Sequence, residues 1–242
     1  MHLQRLQKLI AISGFCSRRQ AEKLLIQGQV RVNGLLAHLG DRAISHVDTI
    51  EIDGKPIRLP DNHVTLLINK PTGVISSCQD PQGRPTILDL IPQSILQNRK
   101  LHPIGRLDSN SRGALILTTD GSLTMNLSHP RYSHDKAYKV WVEGRPSSSV
   151  IKIWQQGIFL DKKMTSRVEL KILCKRVTST LLEIVMKEGR KRQIRRTATF
   201  LGHPVIDLQR IGIASIRLGS LPEGRWRKLN SYELSASLFS YL

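Results

Sequence analysis

A formal surplus of +18 across 242 residues, from 37 Lys and Arg against 19 Asp and Glu, points to a polyanionic partner, nucleic acid before an anionic membrane. Hydrophobic residues make up 40%, enough for one good-sized domain and a small one, and no apolar run approaches the roughly 18 residues of a membrane span. The N-terminus lacks the long apolar segment of a secretory signal, and Cys16, Cys78 and Cys174 are scattered, so a cytoplasmic protein without a metal site is expected.

Residues 1–58 read as a compact helical module with a small β element. The Gln4 to Ile12 pattern predicts a short helix ending at Ser13-Gly14. Ser17-Arg18-Arg19-Gln20 has the Ser-x-x-Gln form of a capping box, followed by Ala21, Leu24 and Leu25 at helical spacing. Val30-Arg31-Val32 then meets Asn33-Gly34, a strong hairpin signal. Arg18, Arg19 and Lys23 lie off the apolar stripe, as a solvated helix face would. Residues 1–58 hold nine Lys and Arg against five Asp and Glu, which leaves twenty-eight against fourteen beyond them. Most of the grip on a polyanion is therefore expected from the larger part.

Leu59-Pro60-Asp61-Asn62-His63 reads as a linker, and residues 64–242 as a second domain. Val64 to Ile68 is an apolar strand run, followed by Asn69-Lys70-Pro71-Thr72-Gly73. Asp80 to Thr86 is loop-like, and Ile87 to Pro92 a short helix. Gly105-Arg106-Leu107-Asp108-Ser109-Asn110-Ser111-Arg112-Gly113 packs turn-forming residues just before Ala114 to Thr118, an apolar, β-branched strand. Asp108 therefore sits on a loop feeding a buried strand, where it is equally well a turn aspartate or a reactive group. Ser122 to Leu127 predicts a helix. Lys136 to Val142 alternates as a strand, with Tyr138, Val140 and Val142 on one face, and Tyr138 taken alone is a half-buried strand tyrosine. A helix is predicted over Ser148 to Gln156, and strands over 168–174 and 180–186. Lys187 to Arg196 carries six Lys or Arg in ten positions and, taken alone, is an unspecific anion patch.

Gly105-Arg106-Leu107-Asp108-x-x-Ser111-x-Gly113-x-Leu115-x-Leu117-Thr118-x-Asp120-Gly121 resembles the signature of pseudouridine synthases, most closely the RsuA/RluB branch that acts on ribosomal RNA. Ala114 and Thr119 depart from that branch's more usual Leu and Asn. Asn69-Lys70-Pro71-x-Gly73, Asp80-Pro81-x-Gly83-Arg84-Pro85-Thr86, Lys136-x-Tyr138-x-Val140 and Glu188-Gly189-Arg190-x-Arg192-Gln193-Ile194-Arg195-Arg196 are similar to further segments of the branch. Residues 1–58 resemble the alpha-L RNA-binding module found in a ribosomal small-subunit protein. The resemblance spans nearly the whole chain. It implies an α+β fold: the small RNA-binding module plus a catalytic domain with a mainly antiparallel, mixed sheet.

It also implies roles. Asp108 aligns with the catalytic aspartate, Tyr138 with a tyrosine that lies against the target base, and Arg195 with the arginine that pairs with the aspartate. Arg106 is the candidate to fill the stack vacated by a flipped base. Arg190, Lys191, Arg192 and Arg196, with Arg5, Lys8, Arg18, Arg19 and Lys23 of the module, are candidates for phosphate contacts, which position RNA without reading its sequence. The reaction detaches uracil from its ribose and reattaches it through carbon 5 with no redox change, so no cofactor is expected. The expected partner is ribosomal RNA, large-subunit before small, or an assembling subunit, met by a monomer. A synthase acting on tRNA and a non-catalytic assembly factor are the alternatives.

Overall fold

The computed structural model describes residues 3–60, 62–97 and 100–238, with residue 238 described by its backbone alone; Asp61 of the expected linker and the ends of both expected domains lie outside them. Two compact units divide the chain. One comprises Met1–Val64, Ile91–His102 and Thr118–Gly121, and the other Thr65–Leu90, Pro103–Leu117 and Ser122–Leu242.

In the first unit, helices Leu6–Ile12 and Arg18–Ile26 close over a four-stranded sheet ordered Leu35–Leu36, Val30–Val32, Ile50–Ile52, Lys55–Pro56. Leu6, Leu9, Ile10, Ala21, Leu25, Val30, Ile50 and Ile52 form one apolar core. The capping box is present: Ser17 Oγ accepts from the Gln20 amide, and Gln20 Oε1 accepts from the Ser17 amide. Asn33 and Gly34 take φ of 51° and 82°, the pair of positive values that a tight two-residue hairpin turn requires. The first helix is shorter than its apolar spacing predicts. Leu3–Arg5 is extended and pairs antiparallel with Arg42–Ile44, a partner distant in sequence that satisfies the backbone a helical turn would otherwise use.

The second unit is a mixed sheet whose main path runs Glu169–Lys175, Ser179–Met186, Lys136–Glu143, Val205–Ile213, Arg112–Thr118, Thr65–Lys70, Trp226–Lys228. Lys136–Glu143 pairs antiparallel on both sides, whereas Val205–Ile213 meets Arg112–Thr118 in parallel. Each face buries its own core. Tyr138, Val140, Val142, Leu182, Ile184 and Leu208 pack with helix residues Trp154, Ile194 and Ala198 on one side. Leu67, Ala114, Ile116 and Ile213 pack with Leu123 and Leu127 of the Gly121–Ser128 helix on the other. This is the small module plus α+β domain that the motifs imply. Among the described residues no helix is long and apolar enough to cross a membrane.

The parallel pairing depends on a glycine. Gly113 has φ +108°, and a Cβ there would lie 2.2 Å from the Arg210 carbonyl oxygen. Any side chain would force the two strands apart, so their close approach requires glycine at this point.

Candidate active site

Asp108 lies on a loop stitched to its surroundings from both sides. Leu107, just before it, is buried in the core with Tyr138 and Ile194. The Leu107 amide donates to Ser76 Oγ at 3.0 Å, and that hydroxyl donates to the Leu107 carbonyl at 2.8 Å. The Gly73 amide donates to the Ser109 carbonyl at 2.8 Å, and the Asp108 carbonyl accepts from the Ser111 amide at 3.0 Å. The backbone is pinned while the Asp108 side chain keeps 43% of its surface exposed. A carboxylate so placed is open to a substrate without being free to wander.

Lys70 underlies the loop. It is fully buried, and its ammonium donates to the carbonyls of Pro71 and Val74, both at 2.7 Å. Burial brings its pKa down to about 8, the Asp108 and Glu223 carboxylates pull it back up, and Arg210 adds to the lowering. An unfolded lysine still holds its proton between about pH 8 and 10.5, where the folded one has lost it. The penalty for burying Lys70 is therefore complete below pH 8 and fades as pH rises through that window. The stability of the wild type relative to Lys70→Met should accordingly rise from pH 8 to 10.5, by up to about 3 kcal/mol. Urea unfolding of both proteins at several pH values measures it, and a flat difference contradicts the assignment.

The basic run is sorted by its own hydrogen bonds. Glu188 accepts from Gln193 Nε2 at 2.6 Å and from the Ser166 amide at 2.7 Å, while Gln193 Oε1 accepts from the Arg190 amide. This closes the Glu-Gly-Arg-x-Arg-Gln stretch into a turn ahead of the Gln193–Phe200 helix. Arg190 faces inward, donating to the carbonyls of Lys163 and Met164 and pairing with Glu188. Arg196 forms a two-pronged pair with Asp161, both contacts at 2.6 Å. Both side chains thus serve the protein's own structure, whereas Lys191 is exposed.

The expected direct pairing of Arg195 with Asp108 is not what the structure contains. Arg192 Nη1 stands 3.6 Å from Asp108 Oδ2 and donates to Asn110 Oδ1 at 3.3 Å. Arg195 Nη2 donates instead to the Asn110 carbonyl at 2.6 Å and to Ser111 Oγ at 3.3 Å. Residues three apart share one helix face, so both arginines reach the same loop. Arg192 caps the helix in a left-handed conformation and extends to the carboxylate, while Arg195, a turn further in, clamps the loop backbone. Burial and Arg192 make the Arg195 charge costly, and Asp108 and Asp207 offset this. The Arg195 Nε is buried with no hydrogen-bond partner among the described residues.

Tyr138 is buried on the same core as Leu107 and pairs across strands with Arg210 and Ile184. Arg106 is exposed two residues before Asp108. Arg112 forms a two-pronged pair with Asp207, at 3.0 and 2.7 Å, and stands 3.6 Å from Glu223. In the N-terminal unit Arg5, Arg18, Arg19 and Lys23 are exposed and Lys8 half-buried. Lys70, Ser76, Asp207 and Glu223 were not among the expected site residues. Lys70 had a signal in its Asn-Lys-Pro-x-Gly segment, whereas nothing local marks Ser76.

An exposed carboxylate on a pinned loop, a buried strand tyrosine and a basic helix start are the features that this sheet carries. Residues 64–199 match the RNA pseudouridylate synthase family, and residues 4–38 match the S4 domain. The chain belongs to the RNA pseudouridylate synthase family. It is 40% identical over 237 residues to an uncharacterized RNA pseudouridine synthase of Aquifex aeolicus, covering 97% of this chain and 93% of that one. It is 37% identical over 238 residues to ribosomal large subunit pseudouridine synthase B of Bacillus subtilis, covering 96% and 94%. A solved pseudouridylate synthase structure superposes with a TM-score of 0.70 at 30% identity, covering 96% of this chain and 99% of that chain.

Proposed function

We propose that this synthase converts a uridine of large-subunit ribosomal RNA to pseudouridine, with Asp108 as the reacting carboxylate. The observation that carries this reading is the Asp108 loop: an exposed carboxylate on a backbone held by Ser76, Gly73 and Arg195. The name of the Bacillus subtilis relative supports the large subunit. The reaction needs an ionised carboxylate beside an extruded uridine. Arg192 Nη1 stands 3.6 Å from the Asp108 carboxylate.

Flipping the base costs a few kcal/mol of stacking. Arg106, exposed beside Asp108, enters the vacated stack, and the base rests against Tyr138. Arg5, Lys8, Arg18, Arg19 and Lys23 meet phosphates, with Lys191 and Arg192 adding contacts near the site. Arg190 and Arg196, held by protein partners, contribute by shaping the turn and helix.

Two tests follow. Large-subunit RNA transcribed with tritium on carbon 5 of uridine should release tritium to water in the presence of the pure protein, because that carbon exchanges its hydrogen for the sugar bond. No release above a no-enzyme control rejects the substrate. For the N-terminal unit, Arg18→Gln/Arg19→Gln/Lys23→Gln should weaken RNA binding and make the salt dependence shallower by about two units. An unchanged slope removes these residues from the phosphate grip.

A further inference from the structure

The sheet face that carries Tyr138 brings three cationic side chains together. Leu67 and Ala114 point into the opposite core, so Lys70 and Gly113, each an odd number of residues away, face the other side. Arg210 pairs with Gly113 on one neighbouring strand and with Tyr138 on the other. Lys136 lies two residues before Tyr138 on one strand and pairs with Met186 of the Tyr138 core, while the register toward Val205–Ile213 is irregular between Ala137 and Tyr138. Lys136, Arg210 and Lys70 thus share one face across four adjacent strands, separated by a glycine.

Carboxylates act on two members of this row. Asp108 and Glu223 act on Lys70, and Asp135 on Lys136, while Glu223 and Asp207 are already engaged by Arg112. Arg210 is the member left unanswered. It is 4% exposed; its Nε donates to the Ala114 carbonyl at 2.7 Å, and its Nη2 is buried with no hydrogen-bond partner among the described residues. A buried cation with an unused donor is expensive to keep, and polar groups in a protein interior ordinarily find partners. The glycine contact at Gly113 that brings its strand here shows that the position is sterically built.

The reaction supplies a transient answer to that charge. When the bond from the sugar's C1′ to N1 breaks, its electron pair leaves with N1 and spreads over O2 and O4. The ring then gives a pair from carbon 5 to C1′, and the proton of carbon 5 ends on N1. Nothing is oxidised, and no co-reactant is consumed. If Asp108 instead adds to carbon 6, the displaced pair collects on carbon 5 and O4. Every route places negative charge on the uracil ring.

We propose that Arg210 stabilises this developing charge, its buried guanidinium acting on the ring from the Tyr138 side of the sheet. The inference rests on the uridine isomerisation proposed above. A fixed charge in a dry site needs no reorganisation as the reaction proceeds, which makes it effective at the transition state.

The test varies the leaving group. Large-subunit RNA is transcribed with uridine or with 5-fluorouridine, whose ring anion is stabilised by the fluorine, and loss of the nucleoside is followed in single turnover. Arg210→Gln keeps a donor for Ala114 but no charge. It should lose about 100-fold on uridine and only about 10-fold on 5-fluorouridine, so that the ratio of the two rates shifts about tenfold. Arg210→Lys keeps the charge and should leave that ratio unchanged. A ratio equal to wild type in Arg210→Gln overturns the proposal, because a structural role slows both substrates alike. Should Arg210→Gln not fold, Arg210→Lys decides: a rate within about tenfold of wild type supports the proposal, and a hundredfold loss at unchanged ratio overturns it. Wild type inactive on both RNAs overturns the substrate reading and this proposal together, whereas an active wild type with an unshifted ratio overturns this proposal alone.

Discussion

Asp108→Asn should leave a folded, RNA-binding protein that makes no pseudouridine. The loop that carries residue 108 is held by the Leu107 packing and by backbone contacts of Leu107, Ser109 and Asn110, none of which uses the carboxylate. The substitution weakens the Arg192 approach at 3.6 Å, between side chains 41% and 43% exposed, and such pairs contribute at most about 1 kcal/mol. Asparagine matches the shape but supplies neither a nucleophile nor a base, so single-turnover rates should fall by at least about 10⁴-fold. Melting temperature and RNA affinity should stay close to wild type. Product formed by the pure variant above a no-enzyme control removes Asp108 from the chemistry.

Arg195→Met should show the second large effect, and it should be one of rate. Arg195 clamps the Asn110 carbonyl and the Ser111 hydroxyl, the two residues that follow the turn at Asp108. A hydrophobic replacement keeps the buried stem but releases the loop, and misplacing a reacting group by about 1 Å costs on the order of 100-fold. Lysine cannot restore the loss, because a single ammonium does not reproduce the forked geometry of the guanidinium. RNA affinity should change little. Arg192→Met should weaken binding, lower the salt slope by about one unit and slow turnover by no more than about tenfold. Rates at saturating RNA, with binding constants at two salt concentrations, separate the two arginines. An Arg195→Met protein that turns over normally once saturated leaves Arg195 as a phosphate contact only.

Legibility along the chain followed the range of the physics. The Ser17–Gln20 capping box and the Asn33-Gly34 turn are interactions between near neighbours, and both are present as read. The candidate site residues are read from the resemblance of their motifs to the family, since local pattern alone leaves Asp108 equally a turn aspartate and the basic run an unspecific anion patch. Leu107 precedes Asp108, Ile194 precedes Arg195, and both apolar residues share a core with Tyr138. Partners chosen by the fold were not legible. Ser76 meets Leu107 from 31 positions away, and Asp207 meets Arg112 from 95. The same holds for Gln4 and Arg5, which fit a helical pattern until Arg42–Ile44 offers them a strand. Within the basic run the charges look interchangeable on paper. Asp161 and the carbonyls of Lys163 and Met164 distinguish Arg196 and Arg190 from Arg192.

The most direct test is to map pseudouridine at every position of ribosomal RNA in cells carrying this gene, lacking it, or lacking it and supplied with wild-type or Asp108→Asn protein. Large-subunit RNA should lose pseudouridine when the gene is absent and regain it with the wild type but not with Asp108→Asn. A ribosomal RNA map identical in all four strains, or restoration by Asp108→Asn, contradicts an Asp108-dependent ribosomal RNA synthase.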